Sequence, residues 1–214
     1  MSKPKRKKEK AIYQPPSPPQ WKGRDSVDLA FQLNLRAFGL VRDMAARSGD
    51  WPLIGHDRAL WSELDASAIE RAARFPFVVL NVHFTDVEWW CSDSKPPEVS
   101  QWPETVSEPL MGELLVFAWH TVKWDRRVAR LALGVVPGVA EFIAALTPHQ
   151  LDRIAADNYR ALRLRWQDDA AFWTRLLEAA RDDDDETLAD IHLHAKLLLS
   201  GELIARANLI NVKA

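Results

Sequence analysis

One cysteine, Cys91, occurs in 214 residues. No disulfide can form within the chain, and no zinc site with several thiolate ligands can be built. The expected compartment is therefore a reducing one. No window approaches the roughly 20 consecutive apolar residues of a membrane span; Arg, Asp, Glu or Pro interrupts each greasy run, so no membrane partner is expected. The charged start runs into proline-rich sequence rather than an apolar stretch, which reads as no secretory signal and a cytoplasmic location. Glycine is scarce, at 8 residues, and no phosphate-binding glycine loop, nucleophile elbow or HExxH helix is present. His192 and His194 stand two apart and project from different helix faces, a poor metal pair. His120 falls in an apolar helix and reads as a satisfied interior or interface histidine. His83 alternates with Val82 and Phe84 and is expected to face solvent or a partner. No pair of acids is marked out for proton transfer. The expectation is a protein with no catalytic residue, no metal and no cofactor: not an enzyme.

What is present is apolar residues, tryptophan and an uneven charge. Hydrophobic residues make up 47% of the chain, enough for a real core. Ten tryptophans are many for this length. They could offer a stacking surface for bases or sugars, but most sit in apolar helical patterns and read better as anchors of a core or a subunit interface. Lys3, Lys5, Arg6, Lys7, Lys8 and Lys10 face only Glu9, so the first ten residues carry +5 and leave about −7 for the rest of a chain whose total is −2. A basic arm on an acidic body suits contact with nucleic-acid phosphates; a solvated tail that aids solubility is the plainer reading.

Residues 1–25 combine this block with a Pro-rich stretch and read as a disordered tail. Asp28 to Ala46 has the periodicity of an amphipathic helix. Asp65 can cap a helix through Ala73, Phe77 to Phe84 alternates like a strand, and Asp86 to Trp90 opens a helical turn. Residues 92–109, punctuated by Pro96, Pro97, Pro103 and Pro109, read as a linker. Helices are then expected over Met111 to Trp124, Val128 to Leu133 (closed by Gly134), Pro137 to Ala145, and from Thr147, whose Thr-Pro-His-Gln run has the capping-box form, to Ala156. Ala161 to Trp166 alternates again, Asp168 to Ala180 is helical, and the acidic run 181–186 leads a last helix from Thr187 to Leu203, its carboxylates favouring the positive end of the helix dipole.

The two halves echo each other at an offset of 82. Leu64 then meets Leu146, Ile69 meets Leu151, Arg71 meets Arg153, Phe77 meets Tyr159, Phe84 meets Trp166, Asp86 meets Asp168 and Trp90 meets Phe172. Each half runs from capped helix through an alternating segment to an Asp and an aromatic pair. The expected organisation is a first unit at 26–91, the linker at 92–109, a second unit at 110–205 and a C-terminal tail at 206–214. A unit that would bury its apolar face by dimerising can do so within one tandem chain.

The second half resembles FlhD, the small helical subunit of the bacterial flagellar master regulator. The resemblance rests on an ordered series of blocks: Leu115-Val116-Phe117-Ala118, Asp125, Leu131 to Val135, Ala144 to Leu151, the alternating Leu162 to Trp166, and Ile191-His192 before a Leu-rich end. It extends more faintly to the first half. It implies a mainly α fold of tandem, pseudo-symmetric units with short extended segments. It further implies assembly with a zinc-bearing FlhC-like partner, DNA bound through that complex, and service in flagellar or conjugative-element transcription. Within this frame Lys3, Lys5, Arg6, Lys7, Lys8 and Lys10 are candidate phosphate contacts. Trp61, Trp89, Trp90, Trp166, Phe172 and Trp173 are candidate partner-interface residues. The competing expectation is a helical adaptor that binds protein without touching DNA.

Overall fold

A computed structural model describes residues 23–47 and 57–213 of the chain. The chain is mainly α, and short-range sequence signals account for most of its helix ends. The first helix, α1 (Gly23–Ala46), buries Ala30, Leu33, Ala37, Phe38, Val41 and Met44, the three- and four-residue spacing of one helical face. After α2 (Arg58–Glu63), Asp65 starts α3 (Ala66–Ala72) by accepting the Ala68 amide at 2.7 Å. A two-residue strand, β1 (Leu80–Asn81), leads to α4 (Val87–Cys91). The Pro-rich crossing then reaches α5 (Glu104–Trp124) and α6 (Arg126–Leu133), which meet at Asp125. That carboxylate accepts the amides of Arg127 and Val128, so α6 begins immediately. Gly134 ends it at φ 62°, a left-handed position that suits glycine.

Pro137 opens α7 (Pro137–Ala145), and the full Thr147–Gln150 capping box opens α8 (Pro148–Asn158). A 3-10 turn over Tyr159–Ala161 and the strand β2 (Arg163–Leu164) follow. The chain ends in α9 (Ala170–Arg181) and α10 (Asp185–Lys213). Asp184 bonds the Thr187 amide and hydroxyl at 3.0 and 2.6 Å, so the acidic run serves as the start of α10.

Several expectations shift: α1 begins at Gly23, inside the stretch 1–25 read as a disordered tail, and α10 runs to Lys213 through the stretch 206–214 read as a C-terminal tail. The extended segments expected over 77–84 and 161–166 contract to one antiparallel two-residue ladder, Leu80 opposite Leu164 and Asn81 opposite Arg163. Val78, Val79 and Leu80 are all buried, so neither face is left for water, and neighbouring backbone groups bond elsewhere. The Val78 amide donates to the Ala132 carbonyl at 2.8 Å, and the Val136 amide to the Phe84 carbonyl at 3.0 Å. The crossing is also shorter than expected, because α5 starts at Glu104 and takes Pro109 into its second turn. There only the Thr105 carbonyl loses its helical donor, and both residues are exposed.

One local arrangement occurs twice. His83 and Trp166 both hold left-handed backbone, at φ 47° and 51°. The carbonyl of each accepts an amide from the aspartate three residues on (Asp86 or Asp169, 2.9 Å in each case). It also accepts the indole N–H of the tryptophan seven residues on, Trp90 at 3.0 Å or Trp173 at 2.9 Å. Each aspartate then caps its helix at 3.0 Å, on the Trp89 and Phe172 amides. The spacing between these arrangements is 83, one more than the sequence echo. At that spacing Asp86 stands against Asp169, and Trp90 against Trp173.

The helices enclose one apolar core. α1 lies against α2, α3 and α5; α5 lies against α6, α7 and α8. α4 packs on α7 from the other half of the chain, and α9 packs on α2 and α3.

Candidate functional site

The candidate interface aromatics lie inside the fold. Trp61, Trp89, Trp90, Phe172 and Trp173 are buried and Trp166 is half-buried. Trp173 of α9 meets Trp61 of α2 at 5.9 Å and Phe38 of α1 at 5.7 Å between ring centroids. Trp90 of α4 meets Phe142 of α7 at 5.7 Å. Trp166 packs edge-on against Phe172 at 5.1 Å. These rings contact this chain's own side chains, and Trp61, Trp90 and Trp173 reach across to its other half. The six basic residues between Lys3 and Lys10, like Trp21 and Trp51, lie outside the described residues.

Three polar centres escaped the sequence reading, because each depends on partners far along the chain. Asn34, fully buried on α1, donates to the Phe77 carbonyl at 2.8 Å and accepts the Val79 amide at 2.9 Å. Glu98, in the Pro-rich crossing, has a side chain only 12% exposed. Its carboxylate meets His83 Nε2 at 2.8 Å and accepts from Trp89 Nε1 at 3.2 Å and Arg163 Nη2 at 2.9 Å. His83, expected to face solvent or a partner, is thus half-buried and stacked on Trp89 at 4.8 Å, with Glu98 beside it. Lys95 closes the same corner over the Trp89 ring at 4.4 Å, and desolvation lowers its pKa. The crossing is fastened to the β1–β2 ladder rather than hanging free.

Arg165 is the third centre. Its side chain is 0% exposed and reaches Glu202 of α10 at 2.9 Å. It also donates to the carbonyls of Val78 and Leu133. Burial pulls its pKa down while Glu202 opposes that pull. Glu202 further accepts Trp166 Nε1 at 2.7 Å. His192 of the same helix is pushed down to about 4 by burial and, secondarily, by Lys196. Its ring packs edge-on against Phe75 at 4.5 Å.

An open groove of about 680 Å³ runs between α1 and α5. Its floor is apolar, from Leu29, Leu33, Gly112, Val116 and Phe117. Arg36 and Glu113 form an ion pair across it. His120, expected as a satisfied interior or interface histidine, is exposed at this rim and touches Trp119 edge-on at 5.0 Å. Such a groove can accept an apolar side of another molecule and orient it through charges at the rim. Among the described residues, no three His, Cys, Asp or Glu side chains converge to hold a metal. No single described helix is long and apolar enough to cross a membrane.

These features define a class: a mainly helical protein whose two halves interlock through buried aromatics, with an apolar groove left on the outside. Residues 113–206, from α5 into α10, match the family model of FlhD, the flagellar transcriptional activator. No curated protein and no solved structure matches the chain.

Proposed function

We propose that the chain is a cytoplasmic transcription-regulator subunit. It carries two divergent FlhD-like units in one polypeptide, at 26–91 and 110–205, joined by the Pro-rich crossing and the first turns of α5. The observation that carries this reading is the FlhD match over residues 113–206. In support of the tandem arrangement, the His83 and Trp166 arrangements stand 83 apart, and at that spacing β1 pairs with its own counterpart β2. The exchange is reciprocal as well: α4 packs on α7 while α9 packs on α2. The covalent pair then stands where a homodimer of single units would. An FlhC-like partner docks on the outside, with the α1–α5 groove as its seat. DNA is bound through that complex, and Lys3, Lys5, Arg6, Lys7, Lys8 and Lys10 add phosphate contacts that raise affinity without reading sequence.

A second reading, a helical adaptor without DNA contact, is favoured by one fact: beyond its first ten residues the chain is about −7 and repels DNA. The deciding experiment purifies the chain with whatever accompanies it in its own cell and follows DNA binding by fluorescence anisotropy. A cysteine-rich partner and promoter affinity that falls steeply between 50 and 200 mM salt, by roughly tenfold or more, support the regulator. Replacing the six basic residues by Ala should flatten that salt dependence. A stable complex with no salt-sensitive DNA binding leaves the adaptor.

A further inference from the structure

α10 is apolar on two opposite faces. One, made of Leu188, Ile191, Ala195, Leu199 and Leu203, is buried against the body. The other carries Leu193, Leu197 and Ile204, which are 57%, 64% and 59% exposed. Scattered surface leucines need no explanation, but these fall on one line. Glu186, Asp190, Leu193, Leu197, Ser200 and Ile204 alternate steps of four and three, the repeat with which one helix presents a continuous seam to another. A side chain at Gly201, beside the seam, would meet nothing within 4 Å. From Glu186 to Ile204 the seam is about 27 Å long at 1.5 Å per residue.

We infer that this seam pairs two copies of the chain, α10 against α10, antiparallel about a two-fold axis near residues 198–199. Two observations select this occupant. First, antiparallel pairing fills the seam evenly: Leu193 falls opposite Ile204 of the second copy and Leu197 opposite Ser200, large against small, where a parallel pair would set Ser200 on Ser200 between apolar layers. Second, charge opposes a parallel pair. Asp182, Asp183, Asp184, Asp185 and Glu186 crowd the start of α10, whereas the sequence from 206 on holds Arg206 and Lys213 and no acid. Antiparallel pairing sets each acidic start beside the other copy's basic end and opposes the helix dipoles; parallel pairing sets acid on acid. This contact is separate from the interlocking of the two halves within one chain.

Sedimentation velocity on the full chain, from about 1 to 200 μM, a span that brackets micromolar association, tests the inference. The expected result is a shift from the 24.4 kDa monomer toward a particle of twice that mass. Leu193→Glu with Leu197→Glu should abolish the shift while the circular dichroism stays unchanged, since both side chains are already in water. Direction is read separately with Leu193→Cys and Ile204→Cys, each made with Cys91→Ser: the mixture should form a disulfide-linked dimer that neither protein forms alone. A chain that remains monomeric at the highest concentration overturns the inference. So does a dimer that survives the double Glu variant, or cross-linking of Leu193→Cys to itself in preference to the mixture.

Discussion

Arg165 and Glu202 join the β2 strand to the C-terminal helix by an ion pair of 2.9 Å in which the arginine side chain has no contact with solvent. The guanidinium is pinned from three directions, by Glu202 and by the carbonyls of Val78 and Leu133. A buried charge of this kind is tolerated only while its partners remain. Glu202→Ala should cost about 3 kcal/mol, because it strands the cation in the interior. Replacing both residues, Arg165→Met with Glu202→Leu, should cost less than Glu202→Ala alone. Urea unfolding of the three proteins checks the order.

Asn34 ties α1 to the segment before β1 through the Phe77 carbonyl and the Val79 amide. Asn34→Ala leaves two buried backbone groups without partners, and about 3 kcal/mol of stability should go with them. Asn34→Leu should not restore it, since volume is not what is missing. The same urea titration measures both.

A side chain at Gly134 would force Leu199 to move. The φ of Gly134 is 62°, and a Cβ there would stand 2.5 Å from Leu199 Cδ1 and 3.1 Å from Arg165 Nη2. Gly134→Ala combines a left-handed strain of about 1 kcal/mol with overpacking of about 1–3 kcal/mol. The expected outcome is a melting temperature lowered by several degrees.

His192 makes stability depend on pH. Its folded pKa is pushed down to about 4, below the ordinary 6.5, because burial disfavours the imidazolium. Below pH 6.5 the unfolded chain takes up a proton that the folded chain refuses, so this group's contribution is full above 6.5. It is lost as pH falls toward 4. The capping carboxylates Asp65 and Asp184, and Asp182 paired with Arg181, have lowered pKa values and give way only at more acid pH. His192→Phe should therefore flatten stability between pH 6.5 and 4. Chemical denaturation of both proteins at pH 7.5 and 4.5 would show it.

Much of the helical order was legible because helix ends are local. Asp65, Asp125, Gly134 and the Thr147–Gln150 box each act within four residues of the backbone they cap. The acidic run at 182–186 likewise announced the start of α10. The sequence echo runs at an offset of 82, whereas the His83 and Trp166 arrangements, which depend on backbone conformation and capping, stand 83 apart.

By itself the sequence determined where most capped helices start, that the chain could bury a core, and that residues 113–206 carry the FlhD pattern. Those properties live in short spacings and in the order of apolar blocks. Only the tertiary structure decided the rest. It turned the tryptophans inward, enclosed Arg165, and paired Leu80 with Leu164. It also placed one apolar face of α10 against the body and left the other in water. An apolar residue is driven out of water wherever it stands, but nothing in its own identity names the distant surface that will cover it.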